Sequence, residues 1–237
     1  MKKINLIILL ALIPALTFAQ SNSGIPLIGT KAPGFKAEST NGPIKFPKDF
    51  GTHWKLIISH PRDFTPVCST ELMELAKLQD EFEKLNVDIL VVSTDPLHDH
   101  NSWKEWLEQI LADNQVSVDI KFPLLDDENM NISSKYGMLH EHSGTTKDVR
   151  GVFIIDPDNI VRSTMFYPVE IGRNMEEIKR AVVALQTTYK TDMYTPANWE
   201  PGDDVLLHYY DQEDLNDPDV YQKAWFLTFR KSKEVIE

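Results

Sequence analysis

The 237-residue sequence is nearly without cysteine: Cys68 is the only one. No intrachain disulfide can form, and a disulfide oxidoreductase working through a CxxC pair is disfavoured. Basic residues are scarce as well. The 24 Lys and Arg stand against 36 Asp and Glu, for a formal charge of −12, which argues against nucleic acid as a partner. No GxSxG segment near the N-terminus provides a lipase-type nucleophile elbow. No internal repeat or low-complexity stretch is found.

Long apolar runs are also missing, except at the start. Lys2 and Lys3 precede the apolar stretch from Ile4 to Leu16, which Pro14 interrupts and which ends at Thr17, Phe18 and Ala19. This reads as a cleavable signal peptide over residues 1–19, cut after Ala19, and so as an exported protein, periplasmic or secreted. No cysteine follows the stretch to carry a lipid anchor. Losing Lys2 and Lys3 takes the charge from −12 to −14. A lone thiol in an oxidising compartment needs either deep burial or a use.

What remains can bury a sizeable core, with 42% hydrophobic and 10% aromatic residues. The run Leu56 to Ser59 reads as a buried strand closed by His60 and Pro61. Leu72, Leu75, Ala76, Gln79, Phe82 and Leu85 then recur at helical spacing, so Cys68 falls at or just inside a helix N-terminus. A strand over Ile89 to Val92 follows. Next come a helix with Trp103, Trp106, Leu107, Ile110 and Leu111 on one side, and a short strand near Phe122 to Leu125. Val152 to Ile155 and Ile160 to Phe166 read as a hairpin around Asp156–Asn159. Asn174 and Glu177 resemble a capping box for a helix lined by Met175, Ile178, Val182 and Leu185. The pattern is α/β, with one main domain over 26–187. From 188 to 237 the composition shifts to Pro, Asp and aromatics, read as a smaller C-terminal unit that covers the main domain or a partner subunit.

The chemistry concentrates in HPRDFTPVCSTE, His60 to Glu71. A thiol at a helix N-terminus is stabilised as thiolate by the partial positive charge of unpaired N–H groups. Thr65 brings a hydroxyl within reach of the sulfur, and Pro61 and Pro66 hold the loop's shape. His98, Asp99 and His100, like His140, Glu141 and His142, are not read as metal ligands, because neighbouring positions splay apart on a helix. The first set reads as a solvated helix start. No metal or other cofactor is expected.

Pro61, Thr65 and Cys68 fall on the PxxxTxxC motif, and here the sequence resembles the peroxiredoxins. VRGVFIIDP (Val149 to Pro157), YPVEIGRNMEEIKRAVVALQ (Tyr167 to Gln186) and TPANWEPGDDVLL (Thr195 to Leu207) are similar to the one-cysteine, peroxiredoxin 6-like branch. The resemblance implies a thioredoxin-like fold with extra elements and a small C-terminal domain. It implies peroxidase chemistry in which Cys68 becomes a sulfenic acid, on hydrogen peroxide or small organic hydroperoxides. Arg150 would stabilise the thiolate and polarise the peroxide, Thr65 would orient it, and the backbone near Val67 and Cys68 would bind its oxygen. Pro61 would screen the intermediate, and His60 matches a position beside the motif. With no second cysteine, an external thiol must close the cycle. A homodimer or a higher oligomer of dimers is expected. The competing reading is a redox-sensing or holdase scaffold switched by Cys68 oxidation. Arg62 stands where relatives often carry Ala, and would add positive potential.

Overall fold

The computed structural model describes residues 24–140 and 146–232. The leader read over residues 1–19, and Glu141 and His142, lie outside them.

The first two strands, β1 (Phe35–Ala37) and β2 (Ile44–Phe46), form an antiparallel pair. Then come β3 (Trp54–Ser59), α1 (Pro66–Lys84), β4 (Val87–Ser93), α2 (Leu97–Asp113), β5 (Leu124–Asp126), α3 (Asn131–Lys135), β6 (Arg150–Ile155), β7 (Val161–Tyr167) and α4 (Met175–Thr188). The chain continues with β8 (Met193–Tyr194), β9 (Val205–Leu207), β10 (Val220–Ala224) and β11 (Leu227–Arg230). β3 to β7 build one sheet in the order β5-β4-β3-β6-β7, parallel from β3 to β5 and antiparallel across β6 and β7. This α/β sheet is the thioredoxin-like arrangement that the resemblance implied.

The central strand β3 is buried along its whole length, because both faces of the sheet are covered. Strand residues alternate in direction, so Leu56 and Ile58 join the core beneath α1, α2 and α4. Ile57 joins the opposite core with Phe35, Phe46, Tyr136 and Phe153. The loop that begins at His60 therefore springs from a strand buried along its whole length.

Helix α1 begins with Pro66 at its first position, where a missing N–H costs nothing. It buries Leu72, Leu75, Ala76, Gln79 and Phe82, the face the spacing gave. Asn86, with φ 57°, ends it in a left-handed conformation that asparagine tolerates. In α4 the Asn174 side chain caps the Glu177 N–H at 3.1 Å. Glu177 pairs with Arg180 at 2.6 Å, so only one arm of the capping box forms.

Two expectations need correction. On α2 the buried stripe is His100, Trp103, Leu107 and Leu111. Trp106 is 62% exposed and Ile110 39%, since each lies one step around the helix beyond the stripe. His100 is not part of a solvated helix start: it is fully buried. The C-terminal strands form their own four-stranded sheet, β10-β11-β9-β8. It is tied to α4 by Arg180 Nη1 donating to the Trp199 carbonyl at 2.9 Å. Within it Trp199 is buried, but Tyr209, Trp225 and Phe226 remain exposed, so its aromatics do not all cover the main domain of the same chain.

Asp148, two residues before Arg150, is buried, and that burial pushes its carboxyl up to about 8, with Ser133 opposing and Asp127 adding to the rise. The folded state thus takes up a proton that the unfolded chain holds only below about pH 4. The stability linked to Asp148 is complete below about pH 4 and is lost as pH rises towards about 8. Asp148→Asn should therefore gain on the order of a few kcal/mol over the native chain at neutral pH and little below about pH 4. Denaturant unfolding across pH measures the difference, and parallel curves would refute it.

Candidate active site

The loop from His60 to Thr65 connects the end of β3 to α1 and delivers Cys68 in the first helical turn. Cys68 is fully buried. Thr65 is the N-cap residue, yet its side chain makes no capping bond. Its hydroxyl donates instead to the Arg62 carbonyl at 2.8 Å, so the proton expected near the sulfur is held by the loop's own backbone. No side-chain cap takes the N–H groups of this turn, to which Val67 and Cys68 belong.

Arg150 opens β6, the strand beside β3, and is itself buried. Its Nη1 donates to Cys68 Sγ at 3.2 Å and to Glu71 Oε2 at 2.8 Å. Nε and Nη2 both donate to the Val169 carbonyl, at 3.1 and 2.7 Å. The guanidinium is thereby fixed on two sides while one N–H points at the sulfur. A buried cationic donor at this distance stabilises negative charge on sulfur, and on an oxygen arriving beside it.

Two further residues complete the arrangement. Glu71 lies one turn beyond Cys68, on the same side of α1. Its buried carboxylate accepts from Arg150 and from Arg173, whose Nη2 lies 2.7 Å away and whose Nε lies 2.9 Å away. The Arg173 Nη1 donates to the carbonyls of Ser59 at 2.8 Å and Gly151 at 2.9 Å. The ends of β3 and β6 are thus stapled behind the thiol. Gly151 keeps this junction tight, because a Cβ there would crowd Ser59 Oγ at 3.0 Å and Phe153 at 3.1 Å. Sequence reasoning had Glu71 only as the last residue of the HPRDFTPVCSTE segment and missed Arg173. The available signals were the three-residue offset from Cys68 to Glu71 and the position of Arg173 inside YPVEIGRN.

Of the other named residues, Pro61 is buried and Val67 half-buried. His60 is fully buried against the Trp103 ring, 5.0 Å between centroids. Among the described residues neither of its ring nitrogens is hydrogen-bonded, and Asp63 Oδ1 lies 3.5 Å from Nε2. Burial, with the charges of His100 and Arg173, holds its pKa well below the usual imidazole range, so His60 is neutral. It cannot serve as a cation for a peroxide. Arg62 is exposed on the outer side of the loop, beside Asp63, Phe64, Asp95 and Asp99 around a 260 Å³ hollow. Among the described residues no group of His, Cys, Asp and Glu could hold a metal ion.

Comparison with known proteins bears on the family of the chain. The profile described as the AhpC/TSA family matches residues 28–164, and that of the C-terminal domain of 1-Cys peroxiredoxin matches residues 184–215. A peroxiredoxin of Methanosarcina mazei is 46% identical over 184 residues, which span 77% of this chain and 84% of the relative. Among solved structures, a cysteine-to-serine mutant of the peroxiredoxin 6 of Arenicola marina superposes with a TM-score of 0.80 at 33% identity. That match covers 89% of this chain and 100% of the other. The yeast mitochondrial 1-Cys peroxiredoxin, described as resolved via glutathione/thioredoxin systems, gives 0.79 at 35%, covering 88% and 100%.

Proposed function

Because the chain belongs to the peroxiredoxin family, a class of thiol peroxidases, we propose that it reduces hydrogen peroxide and small organic hydroperoxides at Cys68 by a one-cysteine cycle. The observation that carries this reading is the Arg150 Nη1 donor 3.2 Å from the Cys68 sulfur, held there by Glu71 and Val169.

The Cys68 thiolate attacks one peroxide oxygen. An S–O bond forms, the O–O bond breaks, and the departing oxygen leaves as hydroxide or alkoxide, which takes a proton to become water or an alcohol. Sulfur is oxidised by two electrons to a sulfenic acid, and the peroxide is reduced by the same two. Charge develops on the departing oxygen as the bond breaks. The Arg150 guanidinium, and first-turn N–H groups free of a side-chain cap, are the donors at hand to stabilise it. Thr65 Oγ1, its own hydrogen given to the Arg62 carbonyl, would orient the peroxide by accepting from its O–H. Pro61 would screen the sulfenic acid from water.

The sequence holds no second cysteine, so an external thiol attacks the sulfenic sulfur and releases water. A second thiol then frees Cys68 from the mixed disulfide. A reductant of the glutathione or thioredoxin class fits this need, by analogy with the yeast structure. We place the protein outside the cytoplasm, on the leader read in residues 1–19, and in a homodimer or larger assembly. Rapid mixing of the reduced protein with hydrogen peroxide tests the reading. Consumption is expected orders of magnitude faster than by free cysteine, with turnover once a thiol donor from a panel is added. A rate equal to that of free cysteine would overturn it. Slow turnover with every donor, with oxidation changing oligomer size, would replace it by the redox-sensing scaffold.

A further inference from the structure

Helix α2 grips the active-site segment on both sides of Cys68. Before the thiol, Asp63 Oδ2 lies 2.7 Å from His100 Nδ1. Just after it, Ser69 Oγ accepts from Trp103 Nε1 at 3.2 Å and donates to the Thr65 carbonyl at 2.8 Å. His100 and Trp103 lie three apart on one helix face and are both buried. His100 is anchored from behind, its Nε2 lying 3.1 Å from the Leu125 carbonyl in β5.

The protons in this chain are dictated by its partners. A carbonyl can only accept, so Nε2 carries a hydrogen. At 2.7 Å the contact between Nδ1 and Asp63 needs a proton too, or two lone pairs would face each other. The pair must hold that proton, either as imidazolium and carboxylate or as neutral imidazole and carboxylic acid. Burial alone would lower the pKa of His100, but the bonds to Asp63 and Leu125 outweigh it and hold the value above the usual range. Burial likewise raises Asp63, against the pull of His100. Around the pair stand His60 on the loop, its Nε2 3.5 Å from Asp63, Asp95 before α2 with Lys147 at 2.6 Å, and Asp99 on α2. Arg173 and Arg150 act on His60 from the far side.

We propose that His100 and Trp103 form a two-point clamp that positions Cys68 for the peroxide step, and that the proton shared by His100 and Asp63 sets the pH range in which the clamp stays closed. The clamp is closed while the proton is present and is released as pH rises through the raised His100 value. Once it is lost, a single imidazole N–H is left for two acceptors, Asp63 and the Leu125 carbonyl, so either the grip on the loop or its anchor to β5 is given up, and the fully buried thiol becomes reachable by alkylating reagents. His100 and Trp103 are positioning residues. Their role in turnover rests on the peroxidase reading, whereas their hold on the loop does not.

The test uses the reduced full chain and two readouts, alkylation of Cys68 by iodoacetamide and the rate of the peroxide step, for the native chain, His100→Gln and Trp103→Phe. Below the imidazole range both variants should alkylate roughly tenfold faster than the native chain, and reduce peroxide roughly tenfold more slowly. Above that range the native chain should open by itself, so the alkylation gap for His100→Gln should close. Equal alkylation of native chain and variants at every pH would overturn the clamp. A gap for His100→Gln that does not change with pH would overturn the shared-proton switch. If His100→Gln does not fold, Asp63→Asn takes its place, and Trp103→Phe tests the second grip independently. Alkylation needs no peroxide, so a native chain that ignores peroxide would fail the peroxidase reading while the clamp is still judged.

Discussion

Replacing Cys68 with serine should reduce peroxide consumption to the uncatalysed background, a loss of roughly 10³-fold or more. A serine hydroxyl stays protonated at neutral pH even beside a guanidinium, so no nucleophile remains to break the O–O bond. The sulfur is also the atom that takes up oxygen, and serine has no corresponding oxidised state. The fold should survive. Cys68 lies fully buried among Leu72, Leu75 and their neighbours, and the substitution changes one atom, so stability should move by about 1 kcal/mol. Rapid-mixing kinetics and denaturant unfolding on the same preparation separate chemistry from folding. A native peroxide rate in Cys68→Ser would remove Cys68 from the mechanism. A lost rate with a collapsed fold would leave the role to be decided by mass detection of an added oxygen on Cys68 in the native chain.

Arg150→Met should slow the peroxide step by roughly 10²–10³-fold, the usual cost of removing one pre-aimed donor from a buried site. Methionine fills much of the same volume without charge. Three partners are left behind: Sγ loses its donor, the Val169 carbonyl loses two, and Glu71 retains only Arg173. Breaking a buried ion pair on one side costs about 3–5 kcal/mol, though Arg173 remains to hold the Glu71 carboxylate and should lessen that loss. Arg150→Lys restores the charge without the planar fork. A single ammonium cannot reproduce the four guanidinium bonds to Val169, Glu71 and the sulfur, so it should recover only part of the rate. A rate for Arg150→Met within a few-fold of native would place the decisive donors elsewhere in the first turn of α1.

Much of this site was legible in the chain because its signals are local. Helical periodicity after the loop put Cys68 in a first turn whatever the fold, and PxxxTxxC with VRG named Arg150 before any distance was known. The hairpin β6–β7 and the α4 cap followed from turn and capping residues only a few positions apart. Less legible were the groups whose meaning depends on a neighbour distant in sequence. His100 looked like a solvated helix start beside His98 and Asp99, yet it is buried because α2 packs against β5 and the Asp63 loop. Trp106 read, with Trp103, as core or interface, and a small rotation around the helix leaves it outside the core of this chain.

By itself the sequence named the candidate reactive atom and, on the proposed peroxidase reading, the need for an outside thiol, since one cysteine can begin a peroxide cycle and cannot finish it. Only the tertiary structure decided how that atom is held. Arg150 meets Cys68 across 82 positions, Arg173 meets Glu71 across 102, and His100 meets Asp63 across 37. Such contacts arise where the sheet brings distant segments together at the ends of its central strands, β3 and β6. In that dry interior an unpaired charge is costly, so the charges pair with one another and their positions become fixed.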